Sequence, residues 1–383
     1  MSPYSFSTIR AVFILIGSIV GAGVFGVPYA LAQSGLSLGL LLLFVMGVLM
    51  TVLLLMNSEV ILQTPGRHRI VGYSKIYLKG RWWILAFCGL VATAWGAMLA
   101  YLLVGGDFLS SLFSLGGWQV SPFWCAWILA ICAGYAIFRG LRFASKAEVV
   151  VIGLILFLFL FVVLASAPFV QAPHLFTTHW SQVFFPYGVL LFALSGSGAI
   201  PEIKDVLGKK AKSLMGFVIL SGMGTIILLY ALFSFAVVGV TGSLTTPIAF
   251  DGLIPLLGSA FHFLVSLIGS LITLSIFMMI GVEIKHLFRY DFSMPNGWSW
   301  ALALFPPFLL YLAGLREFIA IIGFVGAVFG GILGIMSVGI YERMRQKLKK
   351  EHHQCFCVPK WVSVLLILVF LSGMVMEITN LVR

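Results

Sequence analysis

Apolar residues run in long blocks along the chain, and short polar stretches separate them. A helix of about 20 apolar residues crosses the hydrocarbon core of a bilayer, and most blocks reach that length. The pattern predicts eleven spans, over roughly 9–32, 36–62, 82–105, 122–138, 147–168, 182–203, 213–240, 257–287, 298–313, 317–341 and 361–379. The expected fold class is therefore an all-α polytopic membrane protein, with residues 1–383 in one membrane domain.

Two predicted spans carry breakers where a helix should be strongest. Span 1 contains IGSIVGAGVFGVPYALAQSG (16–35), with Gly17, Gly21, Gly23 and Gly26 ahead of Pro28. Span 6 reads FFPYGVLLFALSGSGAIPEIKDVL, with Ser195, Gly196, Ser197 and Gly198 ahead of Pro201. Glycine and proline both weaken helices. Backbone groups freed inside hydrocarbon are costly and persist only where they line a cavity or bind something. Spans 1 and 6 each lead a set of five, and five is odd, so the two sets insert in opposite senses. This is the arithmetic of a five-plus-five inverted repeat, 9–168 and 182–341, with 361–379 appended. Interruptions at matching places of inverted halves point to a solute site at mid-depth. Close helix packing through small residues is the competing reading, and Gly17 to Gly21 fits it. The matching break in span 6 favours the site.

The freed groups suggest what such a site would hold. N–H groups opening the second half of span 1, near Gly23 to Gly26, suit a carboxylate. Carbonyls ending its first half, near Ser18 to Gly21, suit an ammonium group or a bare cation. Ser195 to Gly198 would offer the same in span 6. A zwitterionic α-amino acid presents both charges on neighbouring atoms.

Charge supplies the orientation. All but Arg316 and Arg383 of the 23 basic residues fall at the very start of span 1, or on or at the edge of the 2–3, 4–5, 6–7, 8–9 and 10–11 connections. Lysine and arginine mark cytoplasmic loops, so the N-terminus is expected inside and the C-terminus outside. The net charge of +11 then records topology and contact with anionic membrane lipid, and implies no nucleic-acid partner. At 61% hydrophobic and 9% charged residues, the chain is far from the ~25% charged composition of soluble domains. The first apolar block exceeds a signal peptide's core and is read as a retained span. Cys88, Cys125 and Cys132 lie in apolar blocks and suggest no disulfide framework. Short loops without targeting signals suggest a prokaryotic inner membrane.

No Asp or Glu lies near the middle of any predicted span. That argues against an intramembrane enzyme, which needs a buried nucleophile and base, and against dibasic solutes, which favour a buried acid. Lys146, at the start of span 5, is a candidate proton carrier if desolvation strips its charge. The plainer reading is an anchor reaching for the interface. His262 has the same two readings. Glu202 would serve an inner gate with a basic loop residue, or be plain interfacial charge. The loop EHHQCFC carries His352, His353, Cys355 and Cys357 too tightly spaced for the usual zinc site and is read as a reduced loop. No metal site and no cofactor are expected.

Five stretches carry a family resemblance. GAGVFGVPYALAQSG resembles the first-helix signature of the amino acid/auxin permease family, within the amino acid–polyamine–organocation superfamily. FALSGSGAIPEIKDVL is similar to that family's sixth helix. EVILQTPGRHRIVGYSKIYL (59–78), AYLLVGGDFLSSL (100–112) and, more weakly, TLSIFMMIGVEIKHLF (273–288) resemble its second helix and loop, its third helix and its eighth. The resemblance implies a leucine-transporter-type fold and secondary transport of amino acids with a proton or sodium ion. Bacterial members include aromatic amino acid permeases, but the resemblance does not fix the side chain. It implies substrate contacts at Ser18, Gly21, Ala22, Gly23 and Val24, and at Ala193, Ser195, Gly196 and Ser197. Trp95, Met98 or Tyr101 would face the site from span 3. Members also show an adjacent Thr-Ser pair in span 8 that helps hold a cation. Here the order is Thr273, Leu274, Ser275, and residues two apart do not share a helix face. Ser18, Gly21, Thr273, Ser275 and Lys146 remain the candidates for ion coupling.

The expected function is ion-coupled symport of neutral amino acids by alternating access, aromatic or branched ones within that class. Spans 1, 2, 6 and 7 would rock against 3, 4, 5, 8, 9 and 10. A non-transporting amino acid sensor on the same fold is the alternative; such sensors usually carry a larger cytoplasmic tail than the nine residues before span 1.

Overall fold

The computed structural model describes residues 6–21, 23–66, 68–139, 144–350 and 358–382. Among them no strand occurs, and sixteen helices follow in order. The first eight are α1 (Phe6–Ile19), α2 (Gly23–Ser34), α3 (Leu36–Gln63), α4 (Ile70–Tyr77), α5 (Trp82–Leu115), α6 (Pro122–Arg139), α7 (Ala144–Ser166) and α8 (Ala172–Leu175). The rest are α9 (Phe185–Ala193), α10 (Ile200–Leu207), α11 (Ala211–Thr241), α12 (Ile254–His286), α13 (Asn296–Leu312), α14 (Phe318–Phe324), α15 (Gly331–Lys350) and α16 (Lys360–Val382).

Eight segments of the described residues are long and apolar enough to cross a membrane, or nine if α1 and α2 count as one bent span. The expectation of eleven differs in two places. Residues from Phe185 to Leu244 form one apolar segment of 60 residues, where the sequence pattern separates spans 6 and 7. Helix α13 has 17 residues, short of the roughly 20 that a straight crossing needs.

Several local outcomes have a clear cause. Helix α5 runs ten residues beyond the expected end at 105, through a hydropathy dip at Gly105, Gly106 and Asp107. Gly106 faces the start of α6, where an added Cβ would stand 2.8 Å from the Pro122 carbonyl oxygen. Helix contact accompanies the continuation of α5 past the hydropathy dip. The stretch after α3, read as loop, contains α4, which packs on α5 and α15. Helix α12 turns at Gly258, whose φ of 80° suits glycine. Pro306 and Pro307 lie inside α13, which continues through them. A π-helical turn, Val325–Gly330, joins α14 to α15. It crosses α9 so closely that a Cβ on Gly326 would meet the Gly188 carbonyl oxygen.

One buried and one half-buried lysine end other helices. The Lys285 ammonium, on a side chain only 2% exposed, donates to the carbonyls of Ile137 and Phe138 at 2.7 and 2.9 Å. It thereby satisfies the last carbonyls of α6, where a helix carries partial negative charge. Lys204 donates to the Ile61 carbonyl at 2.6 Å, near the end of α3. Both were read from sequence as interfacial loop charges. Arg69 pairs with the Glu283 carboxylate at 3.2 Å, linking the loop before α4 to α12.

Candidate functional site

Helix α1 ends at Ile19 and α2 begins at Gly23, with a bend of 64° between them. Helix α9 ends at Ala193, a short 3₁₀ turn covers Ser197–Ala199, and α10 begins at Ile200. The local cause is the same in both. Glycine lowers the cost of leaving the helix, and Pro201 stands at the start of α10, where its missing N–H costs nothing.

The two interruptions lie against each other. An added Cβ on Gly23 would stand 2.8 Å from Cα of Ala193, so only a glycine lets the start of α2 approach the end of α9. On Gly196 it would run into the Ile19 side chain, and on Gly21 into the Tyr101 hydroxyl. Tyr101, on α5, is 4% exposed. Gly23, Val24, Ala193 and Gly196 are buried, whereas Ser18, Ser195 and Ser197 are exposed. The Ser195 hydroxyl donates to the Leu191 carbonyl at 2.7 Å, and the Ala199 N–H to the Gly196 carbonyl at 3.2 Å. Ala22 and the side chain of Lys146 lie outside the described residues, as does the EHHQCFC loop.

Tyr230, on α11, was not singled out from sequence. Its fully buried hydroxyl stands 3.1 Å from the Ala193 carbonyl oxygen and 3.4 Å from that of Ile19. One phenol therefore serves the last residues of both α1 and α9. A tyrosine within an apolar helix gives no signal of its own; only the positions of two distant carbonyls reveal it.

The ion-coupling candidates on α12 are placed differently from one another. Thr273 is buried, and its hydroxyl donates to the carbonyls of Gly269 at 2.8 Å and Ser270 at 3.1 Å. It faces Gly105 of α5. Ser275 is 9% exposed. Ile276, next along the helix, is the α12 residue whose side chain reaches the Gly21 position. Among the described residues, no group of three His, Cys, Asp or Glu is placed to hold a metal ion.

Next to the α1–α2 interruption, five aromatic rings form a chain. Phe25 of α2 contacts Phe108 of α5 at 5.5 Å and Phe250 of the α11–α12 connection at 5.6 Å. Phe250 meets Phe233 at 5.4 Å, and Phe233 stacks on Phe159 at 4.7 Å. All five are at most 3% exposed. The Ala249 N–H donates to the Phe25 carbonyl at 3.0 Å, fastening the connection to α2.

This arrangement matches known transporters in fold. The chain superposes on MhsT in complex with L-phenylalanine with a TM-score of 0.69 and 14% identity, covering 99% of this chain and 98% of that one. It superposes on the H236A mutant of an Eremococcus coleocola manganese transporter with a TM-score of 0.67 and 14% identity, covering 99% and 88%. These likenesses show a leucine-transporter-type fold. A curated mouse (Mus musculus) relative, named "Putative sodium-coupled neutral amino acid transporter 11", is 29% identical over 119 residues. That match spans 29% of this chain and 26% of the relative. The family and the fold indicate a transporter rather than an enzyme. The broad resemblance to an amino acid permease holds, but the family model that matches is not the amino acid/auxin permease one. Residues 5–380 match the tryptophan/tyrosine permease family, and the chain belongs to that family.

Proposed function

We propose that this protein is a secondary active symporter of neutral amino acids, aromatic ones foremost, that binds its substrate where α1–α2 and α9–α10 are interrupted. The observation that carries the reading is the meeting of Gly23 with Ala193 beneath a buried tyrosine. It sets the N-terminal end of one half-helix beside the C-terminal ends of two others. Opposite partial charges then lie side by side in a low-dielectric interior. An amino acid's carboxylate and ammonium fit that pair of ends, and the family's name supports an aromatic side chain.

The exposure pattern supports alternating access. The Phe25–Phe108–Phe250 cluster closes one side, while Ser18, Ser195 and Ser197 stay accessible. This corresponds to a state closed outward and open inward. The site residues in this reading are Ser18, Gly21, Ala22, Gly23 and Val24, with Tyr101, Ala193, Ser195, Gly196 and Ser197. The co-ion is a proton or sodium. Ser18, Gly21, Thr273 and Ser275 are the oxygen donors for sodium, and Lys146 is the candidate proton carrier.

Eleven crossings remain part of the proposal. A 60-residue segment is about twice what one tilted crossing uses, so α9–α10 and α11 count as two. Helix α13 and the bent α1–α2 pair supply the others. The internal N-terminus and external C-terminus rest on the loop charges, the five-plus-five inversion on the odd number of spans in each set and the matching breaks in spans 1 and 6, and the prokaryotic inner membrane on the short loops.

The experiment is uptake of labelled tryptophan, tyrosine, phenylalanine and leucine into proteoliposomes, under imposed sodium or proton gradients in turn. Concentrative uptake of at least one aromatic amino acid under one gradient is expected. Ligand binding without uptake under either gradient would convert the reading to a sensor.

A further inference from the structure

A groove of about 510 Å³ runs between α6 and α13, away from the helix interruptions. Trp127, Tyr135 and Phe138 line it from α6, and Trp300, Phe305 and Phe308 from α13. Its floor is drawn tight by the Trp300 indole N–H, which donates to the Gly134 carbonyl at 2.8 Å. The rings interlock, with Trp127 edge-on to Phe308 at 4.4 Å and Phe138 edge-on to Trp300 at 5.7 Å. Tyr135 and Phe305 remain exposed, on α6, long and apolar enough to cross a membrane, and on α13, which the proposed function counts as a crossing. The groove therefore opens toward hydrocarbon, and an apolar cleft of this kind holds no water.

Two cations stand at one end of it. The exposed Arg139 guanidinium lies 5.4 Å over the Tyr135 ring, and its Nε–H donates to the Tyr135 hydroxyl at 3.0 Å. The Lys285 ammonium lies 5.9 Å from the centre of the Phe138 ring. Both rings line the groove, so the exposed Arg139 stands at its mouth and the buried Lys285 lies behind its wall. Among the described residues neither cation pairs with a carboxylate. Lys285 spends its hydrogen bonds on the α6 carbonyls. Arg139 uses one donor of five and keeps the rest of its fork for a partner.

We propose that this groove is a specific site for a phospholipid with an anionic headgroup. One acyl chain lies along the aromatic wall between α6 and α13. The headgroup phosphate accepts charge-assisted hydrogen bonds from Arg139, whose planar fork suits it, with Lys285 adding field from below. Charge complementarity favours this occupant over a second copy of the chain, whose matching face would bring Arg139 toward a like charge. Helices α6 and α13 both pack on α12, so a bound lipid would brace the set of helices that the proposed function has the others rock against.

The test is native mass spectrometry of the full chain, purified in detergent and mixed with phosphatidylglycerol or phosphatidylcholine of identical acyl chains. Phosphatidylglycerol is expected to stay bound at activation energies that strip phosphatidylcholine, with about fivefold greater occupancy. Arg139→Gln should bring phosphatidylglycerol down to the phosphatidylcholine level, and Arg139→Lys should keep much of the preference. Ile131→Trp, at an exposed lining position, should lower occupancy of both lipids. Thermal melting of each variant verifies folding. Equal retention of the two lipids by the unaltered chain, or an unchanged preference in Arg139→Gln, would overturn the proposal. So would a dimer that Ile131→Trp dissociates, since the groove would then belong to a second copy.

Discussion

The Tyr230 hydroxyl lies 3.1 Å from the carbonyl oxygen of Ala193 and 3.4 Å from that of Ile19, joining two helix ends that are 174 residues apart in sequence (193 − 19). A hydroxyl has a single proton, so it is shared between two acceptors that have no helical partner of their own. Tyr230→Phe removes that donor and strands at least one buried carbonyl. A loss of about 1–3 kcal/mol in stability is expected, with a several-fold rise in the KM for amino acid uptake. Melting temperature and uptake kinetics measure the two. A stability loss with an unchanged KM would show that the tie serves folding alone.

Gly23 tests the meeting of the half-helices. A leucine there would place Cβ 2.8 Å from the Ala193 Cα, and backbone cannot yield as a flexible side chain can. Uptake by Gly23→Leu should be abolished while membrane insertion persists. Normal uptake would remove the site from this position. Gly21→Leu should lower uptake less than Gly23→Leu, because its Cβ would meet the Tyr101 hydroxyl, the far end of a side chain that can shift.

Phe250 tests the closure that the proposed function assigns to the outer side. Its ring touches Phe25 and Phe233 and is fully buried. Phe250→Ala should cost about 3–5 kcal/mol and open a path from outside. A cysteine placed at buried Val104, one turn from Phe108 on α5, reports on that path. Its labelling by an impermeant thiol reagent should accelerate in Phe250→Ala, once the exposed Cys88 and Cys132 are replaced by serine. Unchanged labelling would mean that another element closes this side.

Lys285 tests the α6 terminus. Lys285→Met keeps the volume but leaves the carbonyls of Ile137 and Phe138 without their donor. The variant is spared the desolvation of a buried charge, which offsets part of the loss. A net fall in melting temperature is expected. An increase would show that desolvation outweighs the two bonds.

The Arg69–Glu283 pair should contribute little, because both side chains are well exposed, at 39% and 52%. A double-mutant cycle with alanine at each position should give a coupling of about 0.2–1 kcal/mol, shrinking as salt is raised. A larger, salt-insensitive coupling would mark a desolvated gate instead.

Sequence by itself determined the membrane class, the two interrupted helices and most element ends. Apolar block length and backbone breakers act locally, through the cost of bare peptide groups in hydrocarbon and the weak helix preference of glycine and proline. Thus α3 at Leu36–Gln63 and α6 at Pro122–Arg139 lie within a residue of the spans expected at 36–62 and 122–138. The tertiary structure alone decided what meets across the fold. Tyr230 reads as one more apolar-helix tyrosine until two carbonyls arrive beside it. Lys285 reads as a loop charge until α6 ends against its ammonium, and Phe250 as a loop aromatic until Phe25 and Phe108 enclose it. Contacts between residues a hundred or more positions apart depend on how helices cross. No local pattern encodes a crossing whose closest approach is set by glycines such as Gly23, Gly188 and Gly326.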